Sequence, residues 1–257
     1  MVRIMEIDNL AARRKSGEIL AQVRDICLAA VKPGMSFEEL EAIAQREIKK
    51  LGAKTSFTTV GDYKWATCIT KNKGCCHGIP RDKGVDKGDL ITIDVGVIYE
   101  GFHSDTAGTV CAGSCTTQQE AFLQAGRDAL TNAIAQARPG NSIYDISKAM
   151  QETIESAGFS VVYQLTGHGI GRKLHESPNI PCFADPRNKR DILREGKTIA
   201  IEIMYAEGNP TLVLDDDGWT YSTEDGSPTG MFEHTVLITK NGPEVLTLSP
   251  LENMRKI

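Results

Sequence analysis

Four carboxylates fall in stretches that otherwise suit the interior of a sheet. Asp94 and Asp105 lie in DLITIDVGVIYEGFHSDTAGTV (89–110), Glu202 interrupts Ile199, Ala200, Ile201, Ile203 and Met204, and Glu233 follows Phe232 in GMFEHTVLIT (230–239). An ionised carboxylate is too costly in a core unless it is paired or bound to a cation. Any one of them alone reads more simply as a solvent-facing strand residue. Four of them, together with His168 between glycines 167, 169 and 171 in LTGHGIGRKLHESP, point to chemistry. The set is hard, oxygen-rich and carries one imidazole, which suits two divalent ions of Mn²⁺, Fe²⁺, Co²⁺ or Zn²⁺. Two such ions ~3.5–4 Å apart can share bridging carboxylates and support hydrolysis. The glycines are expected to let backbone crowd around the imidazole. Arg172 breaks the G-x-G-x-x-G pattern and no Walker lysine motif occurs, which excludes nucleotide binding there.

These side chains need rigid strands to hold them. Residues 89–110 have the pattern of a hairpin turning at Tyr99, Glu100 and Gly101. A turn centred between Tyr99 and Glu100 sets Asp94 opposite Asp105, and like charges facing each other need a shared proton or a cation. Residues 197–206 and 230–239 supply two more strands. A repeat links the halves: VKPGMSFEELEAIAQREIKKLGA (31–53) aligns with ARPGNSIYDISKAMQETIESAGF (137–159). Ser36 with Glu39, and Ser142 with Asp145, have capping-box spacing, and Gly52 and Gly158 stand where left-handed residues end helices. Further helical stretches, 8–30 and 117–137, precede the repeats. The pattern predicts two related α+β halves, each laying two helices on one face of a curved antiparallel sheet, with a site at the seam.

The composition is that of an ordinary globular protein. The 257 residues carry a net charge of −5, are 40% hydrophobic and 25% charged. The longest apolar run, residues 26–31, is far short of the ~20 needed to span a membrane, and the N-terminus lacks a secretion-signal pattern. Seven cysteines without a C-x-x-C pair fit reduced thiols of a cytoplasm. Mild acidity without a dense basic run argues against specific nucleic-acid binding.

CCHGIP (75–80), IDVG followed by SDTAGT, GHGIGRKLHESP (167–178), IEIM and MFEHT resemble the methionine aminopeptidases in order and spacing, over essentially the whole chain. The resemblance implies a pita-bread fold with pseudo-twofold halves and helices on the outer face, in a single catalytic domain over 1–257. The tail at 252–257 matches no motif. The short spacing from His168 to Glu202 and the start at the catalytic core resemble the short bacterial type I form. By similarity, Asp94, Asp105, His168, Glu202 and Glu233 hold two metals. The implied reaction is removal of N-terminal methionine from peptides or nascent proteins with a small second residue, by a hydroxide bridging the metals. Glu202 is then the proton shuttle, Asp94 helps hold the α-amine, His175 bonds the carbonyl oxygen, and His77 contacts the scissile nitrogen. His103 and His234 are expected to be structural.

The family's methionine pocket maps onto Tyr63, Cys68 and Trp219, with Leu174 where Phe is usual. Val60, Phe57, Lys73, Gly74 and Ile203 also depart from the commonest pattern, so a reshaped pocket is expected. Trp219 is placed in a long loop, 207–228. A monomer in the cytoplasm, touching ribosomes only transiently, completes the expectation. The rivals are a prolidase or Xaa-Pro aminopeptidase and a non-catalytic protein of the same fold.

Overall fold

The computed structural model describes residues 2–249, so the tail at 252–257 lies outside the described residues. The first half contains α1 (Val2–Ala30), α2 (Phe37–Lys50), β1 (Lys54–Thr55), β2 (Thr67–Lys71), β3 (Gly74–Cys76), β4 (Leu90–Tyr99) and β5 (Phe102–Cys111). The second contains α3 (Thr117–Gln136), α4 (Ile143–Ser156), β6 (Ser160–Val161), β7 (Thr166–Gly169), β8 (Glu176–Pro181) and β9 (Thr198–Ala206). It ends with β10 (Leu212–Leu214), β11 (Tyr221–Thr223), β12 (Thr229–Thr239) and β13 (Gly242–Val245).

Local chemistry sets the repeated helices. Ser36 Oγ accepts from Glu39 N, and Ser36 N donates to the Glu39 carboxylate. Ser142 N donates likewise to Asp145. Each box satisfies amide donors that a helix N-terminus otherwise leaves open. Gly52 and Gly158 end the two helices at φ of 75° and 86°, the left-handed conformation that glycine adopts at least cost.

The sheets repeat the same plan. Strand β4 pairs with β5 on one edge and with β1 and β2 in succession on the other. Strand β9 pairs with β12 on one edge and with β6 and β7 in succession on the other. All these ladders are antiparallel. Side chains alternate between faces of a strand, so Ile91, Ile93, Val95 and Val97 of β4 pack with Phe37, Leu40, Ala44 and Ile48 of the first helical layer. Ile199, Ile201 and Ile203 of β9 pack with Ile143, Ile146, Met150 and Ile154. That parity turns Asp94 and Glu202 to the opposite, concave face. Ile203 is fully buried in the strand, so the residue beside Glu202 serves the core.

Two expectations are corrected here. The β4–β5 turn lies between Glu100 and Gly101, one residue later than predicted, and both residues have positive φ, 48° and 77°. A two-residue turn of this kind matches strand twist. Asp94 therefore faces Ala107, and Asp105 faces Gly96, which makes the two aspartates diagonal neighbours. The stretch 207–228 is also not a plain loop. It folds into the β10–β11 hairpin, and β11 pairs with β3 from the first half.

Where β5 meets β12, threonine hydroxyls join the halves. Thr106 Oγ1 donates to Glu233 O (2.7 Å), Thr235 Oγ1 donates to Asp105 O (2.7 Å), and Asp105 N donates to Thr235 Oγ1 (2.8 Å). Two of the carboxylate-bearing residues are thus held by their own backbone to the opposite half.

Candidate metal centre

A cavity of about 350 Å³ opens on the concave face, and every residue singled out for metal or substrate lines it. Asp94, Asp105, His168, Glu202 and Glu233 meet there with His77, His175, Tyr63, Cys68, Leu174 and Trp219, and Phe57 and Val60 join them. His103 and His234 are placed elsewhere. The His103 ring is 2.6 Å from Ser56 Oγ, and His234 Nδ1 is 2.9 Å from Thr247 Oγ1.

The carboxylates crowd because their strands do. Glu202 and Glu233 are direct register partners across β9 and β12, the opposition that the sequence had suggested for the aspartates. Donor atoms of Asp105, His168 and Glu233 all lie within 4.8 Å of one another. His168 Nε2 is 4.0 Å from Asp105 Oδ2 and 3.9 Å from Glu202 Oε1.

The His168 ring shows what such a cluster requires. Its Nδ1 lies 2.9 Å from Gly169 O, where only an N–H can bond, so the lone pair sits on Nε2 and faces carboxylate oxygens. Burial holds this imidazole neutral, lowering its pKa to about 4. A lone pair facing carboxylates at nearly 4 Å is too far for a hydrogen bond and well placed to share a cation with them. Asp94 Oδ1 and Glu233 Oε1 are buried with no hydrogen-bond partner. The donor set therefore fits divalent metal. The backbone carbonyl on Nδ1 is the outer partner that a ligating histidine commonly has.

Burial raises all four carboxylates above their ordinary range. Asp105 is pushed up to about 7, although Asp94 and the Thr106 amide bond to it and oppose the rise. Asp94, Glu202 and Glu233 rise by burial first and then by mutual repulsion. This predicts the pH response of metal-free protein. From about pH 7.5 upward the histidines of the unfolded chain, with ordinary pKa ~6.5, have lost their protons. Burial lowers the pKa of His77, His103, His168 and His175 in the folded protein, so the carboxylates dominate there. The folded state then holds more protons than the unfolded one, and stability falls as pH rises through the folded pKa values. The melting temperature of metal-free protein should be lower at pH 8.5 than at pH 7.5, and divalent metal should reverse that order. A flat profile would contradict shared buried charge.

The histidine loops are shaped by close contacts. A Cβ on Gly167 would lie 2.5 Å from Ala200 O, and one on Gly169 would lie 2.4 Å from Ser177 O. The glycines therefore let β7 approach its neighbouring strands closely, and the Gly169 carbonyl reaches the imidazole itself. The His175 ring packs edge-on against His168, with centroids 4.5 Å apart. His77 adopts φ of 57°, an unusual conformation for a side-chain-bearing residue, which strand pattern alone did not reveal.

The apolar end of the cavity is ordered. Trp219 meets Tyr63 edge-on at 5.0 Å, and Tyr63 Oη donates to Thr67 O (2.8 Å). Asp217 accepts from the amides of Trp219 and Thr220 and so fixes the turn that carries the indole. Gln164, Leu165, Thr166, Asn179, Cys76 and Met231 also line the cavity without having been singled out. Strand alternation could have found two of them, since Thr166 shares a face with His168 and Met231 with Glu233.

Comparison with known proteins supports the same assignment. Residues 11–240 match the model of metallopeptidase family M24. A methionine aminopeptidase of Aquifex aeolicus is 43% identical over 242 residues, covering 91% of this chain and 94% of that protein. The crystal structure of methionine aminopeptidase from Thermotoga maritima superposes with a TM-score of 0.91 at 37% identity, covering 94% and 97% of the two chains. Prolidase from Pyrococcus furiosus shares the fold, with a TM-score of 0.75 at 24% identity, covering 94% of this chain and 64% of that one. The architecture is the pita-bread fold. The chain belongs to metallopeptidase family M24, a metal-dependent group of peptidases.

Proposed function

We propose that this protein is a methionine aminopeptidase, removing the N-terminal methionine from peptides and nascent proteins with a small second residue. The observation that carries the reading is one cavity in which four buried carboxylates and His168 adjoin an apolar pocket built from Tyr63, Cys68, Leu174 and Trp219. An apolar wall with a sulfur atom suits a thioether side chain. The chain 1–257 forms one catalytic domain derived from duplication, as the matching sheet plans support. Seven unpaired thiols support a cytoplasmic setting.

Asp94, Asp105, His168, Glu202 and Glu233 would hold two divalent ions, of Mn, Fe, Co or Zn. When bound, these supply Lewis acidity toward the scissile carbonyl and acidify the water nucleophile. Glu202 accepts the proton of the attacking water and passes it to the leaving amine. Asp94, at the end of the cluster nearest Cys68, its register partner, anchors the free α-amine. His175 donates to the carbonyl oxygen as negative charge develops there. His77 positions the scissile nitrogen.

Metal-stripped protein supplied in turn with each ion, then given Met-Ala-Ser, Leu-Ala-Ser, Met-Leu-Ser and Ala-Pro-Ser, tests the reading by mass spectrometry. Release of methionine from Met-Ala-Ser alone is the expected result. Cleavage of Ala-Pro-Ser would move the protein to the prolyl peptidases, and no cleavage with any ion would leave a non-catalytic binding protein.

A further inference from the structure

Among the described residues, Tyr163, Val213 and Leu214 are three of the five large apolar side chains left exposed. They gather round one contact, in which a primary amide takes the place of a strand. Gln164 Nε2 donates to Leu212 O (2.7 Å), and Leu212 N donates to Gln164 Oε1 (2.8 Å). Register explains why this backbone is available. Glu224 N donates to Thr211 O and Asp215 N to Thr220 O, with the Val213–Ser222 pair between them. Alternate residues in such a ladder turn their N–H and C=O groups away from the partner strand. Leu212 and Leu214 therefore both address the outer edge of β10. Gln164 satisfies the first and leaves the second without a partner there.

That edge adjoins the cavity along two routes. Gln164 itself lines the cavity. Tyr221, the cross-strand partner of Leu214, packs edge-on against His77 with centroids 5.9 Å apart, and His77 also lines the cavity. An exposed edge strand with apolar side chains invites pairing with another chain, and proteins usually blunt such edges with charge, proline or a covering segment. Here Leu214 and Val213 are 52% and 41% exposed.

We propose that the outer edge of β10 at Leu214 is the docking track for the substrate chain beyond its second residue, which pairs there as an added extended strand. This rests on the aminopeptidase reading above. A protein substrate has far more chain than the cavity holds, so the rest must leave it, and Gln164, which lines the cavity, also holds the edge of β10. Main-chain bonds to Leu214 recognise any extended sequence, as strand addition does elsewhere. Alternate substrate side chains lie beside Leu214 on one face and Val213 on the other, so apolar residues at those positions are favoured. An unfolded polypeptide with alternating apolar residues is the partner this edge fits.

The test compares metal-loaded enzyme on Met-Ala-Ser and on Met-Ala-Ser-Val-Thr-Val-Ser-Lys. Two net hydrogen bonds plus apolar contact correspond to a gain of about tenfold or more in kcat/KM for the longer peptide. Single backbone N-methylation at successive residues from the third onward should abolish the gain at one position, the residue whose N–H bonds to Leu214 O. Leu214→Pro removes the outward N–H without touching the β10–β11 ladder. It should bring the long peptide down to the tripeptide value, with tripeptide hydrolysis within about twofold of wild type. The N-methyl series uses unaltered enzyme and stands even if the proline disturbs the hairpin. Equal efficiency for both peptides, or a gain insensitive to every N-methyl group, would overturn the track. Failure to cleave Met-Ala-Ser at all would overturn the aminopeptidase reading, and the track with it.

Discussion

Glu202→Gln is expected to lower turnover of Met-Ala-Ser by about 10³-fold at saturating metal, the middle of the range for losing a positioned general base. The substitution keeps the shape and removes the charge and the basicity. Burial and Asp105 already raise the Glu202 pKa, so its ionised form works against the metal-free fold. A neutral isostere relieves that cost. The metal-free variant should therefore melt at or above the wild-type temperature at pH 8, while its activity collapses. Turnover within tenfold of wild type would remove Glu202 from the proton-transfer role, and a lowered melting temperature would mean that its carboxylate is structural.

His168→Ala is expected to have an equally large effect by a different route. Even outer partners of ligands change metal affinity by about 10–100-fold, so loss of a ligating imidazole should exceed the upper end of that range. Competition with a chelator measures it directly. The remaining carboxylates keep their repulsion, so the variant should need far more metal to recover its melting temperature at pH 8. Unchanged metal stoichiometry and affinity would show that the Nε2 lone pair does not face a cation. Because Nδ1 bonds to Gly169 O, His168→Gln does not restore the lone pair in place and should not rescue.

Much of the fold was legible because its determinants are local. Ser36 and Glu39, and Ser142 and Asp145, sit within one helical turn of each other, and a glycine at the end of each repeat needs no distant partner to reveal its conformation. The hairpin was legible too, but its register was not. Glu100 accepts positive φ only because Gly101 beside it completes a tight turn, and glutamate carries no strong signal for that conformation. The error moved each partner by two positions, and two is the period of a strand. Asp94 and Asp105 thus stayed on one face, and the inference of crowded charge survived a wrong pairing.

The sequence by itself determined the reacting groups: carboxylates and an imidazole set into apolar strands, with a repeat that implied two like halves. Their types are chemical properties of single residues, and strand alternation fixes the face each one takes. Only the tertiary structure decided which carboxylates confront each other, because Glu202 and Glu233 meet through a ladder between strands separated by the β10–β11 hairpin. It alone brought Thr106 and Thr235 across the seam to hold Glu233 and Asp105. It alone turned the stretch 207–228 into a hairpin that closes one side of the cavity and leaves an unpaired edge beside it. Such features depend on hydrogen bonds between residues far apart in the chain, whose partners no local pattern of residue types specifies.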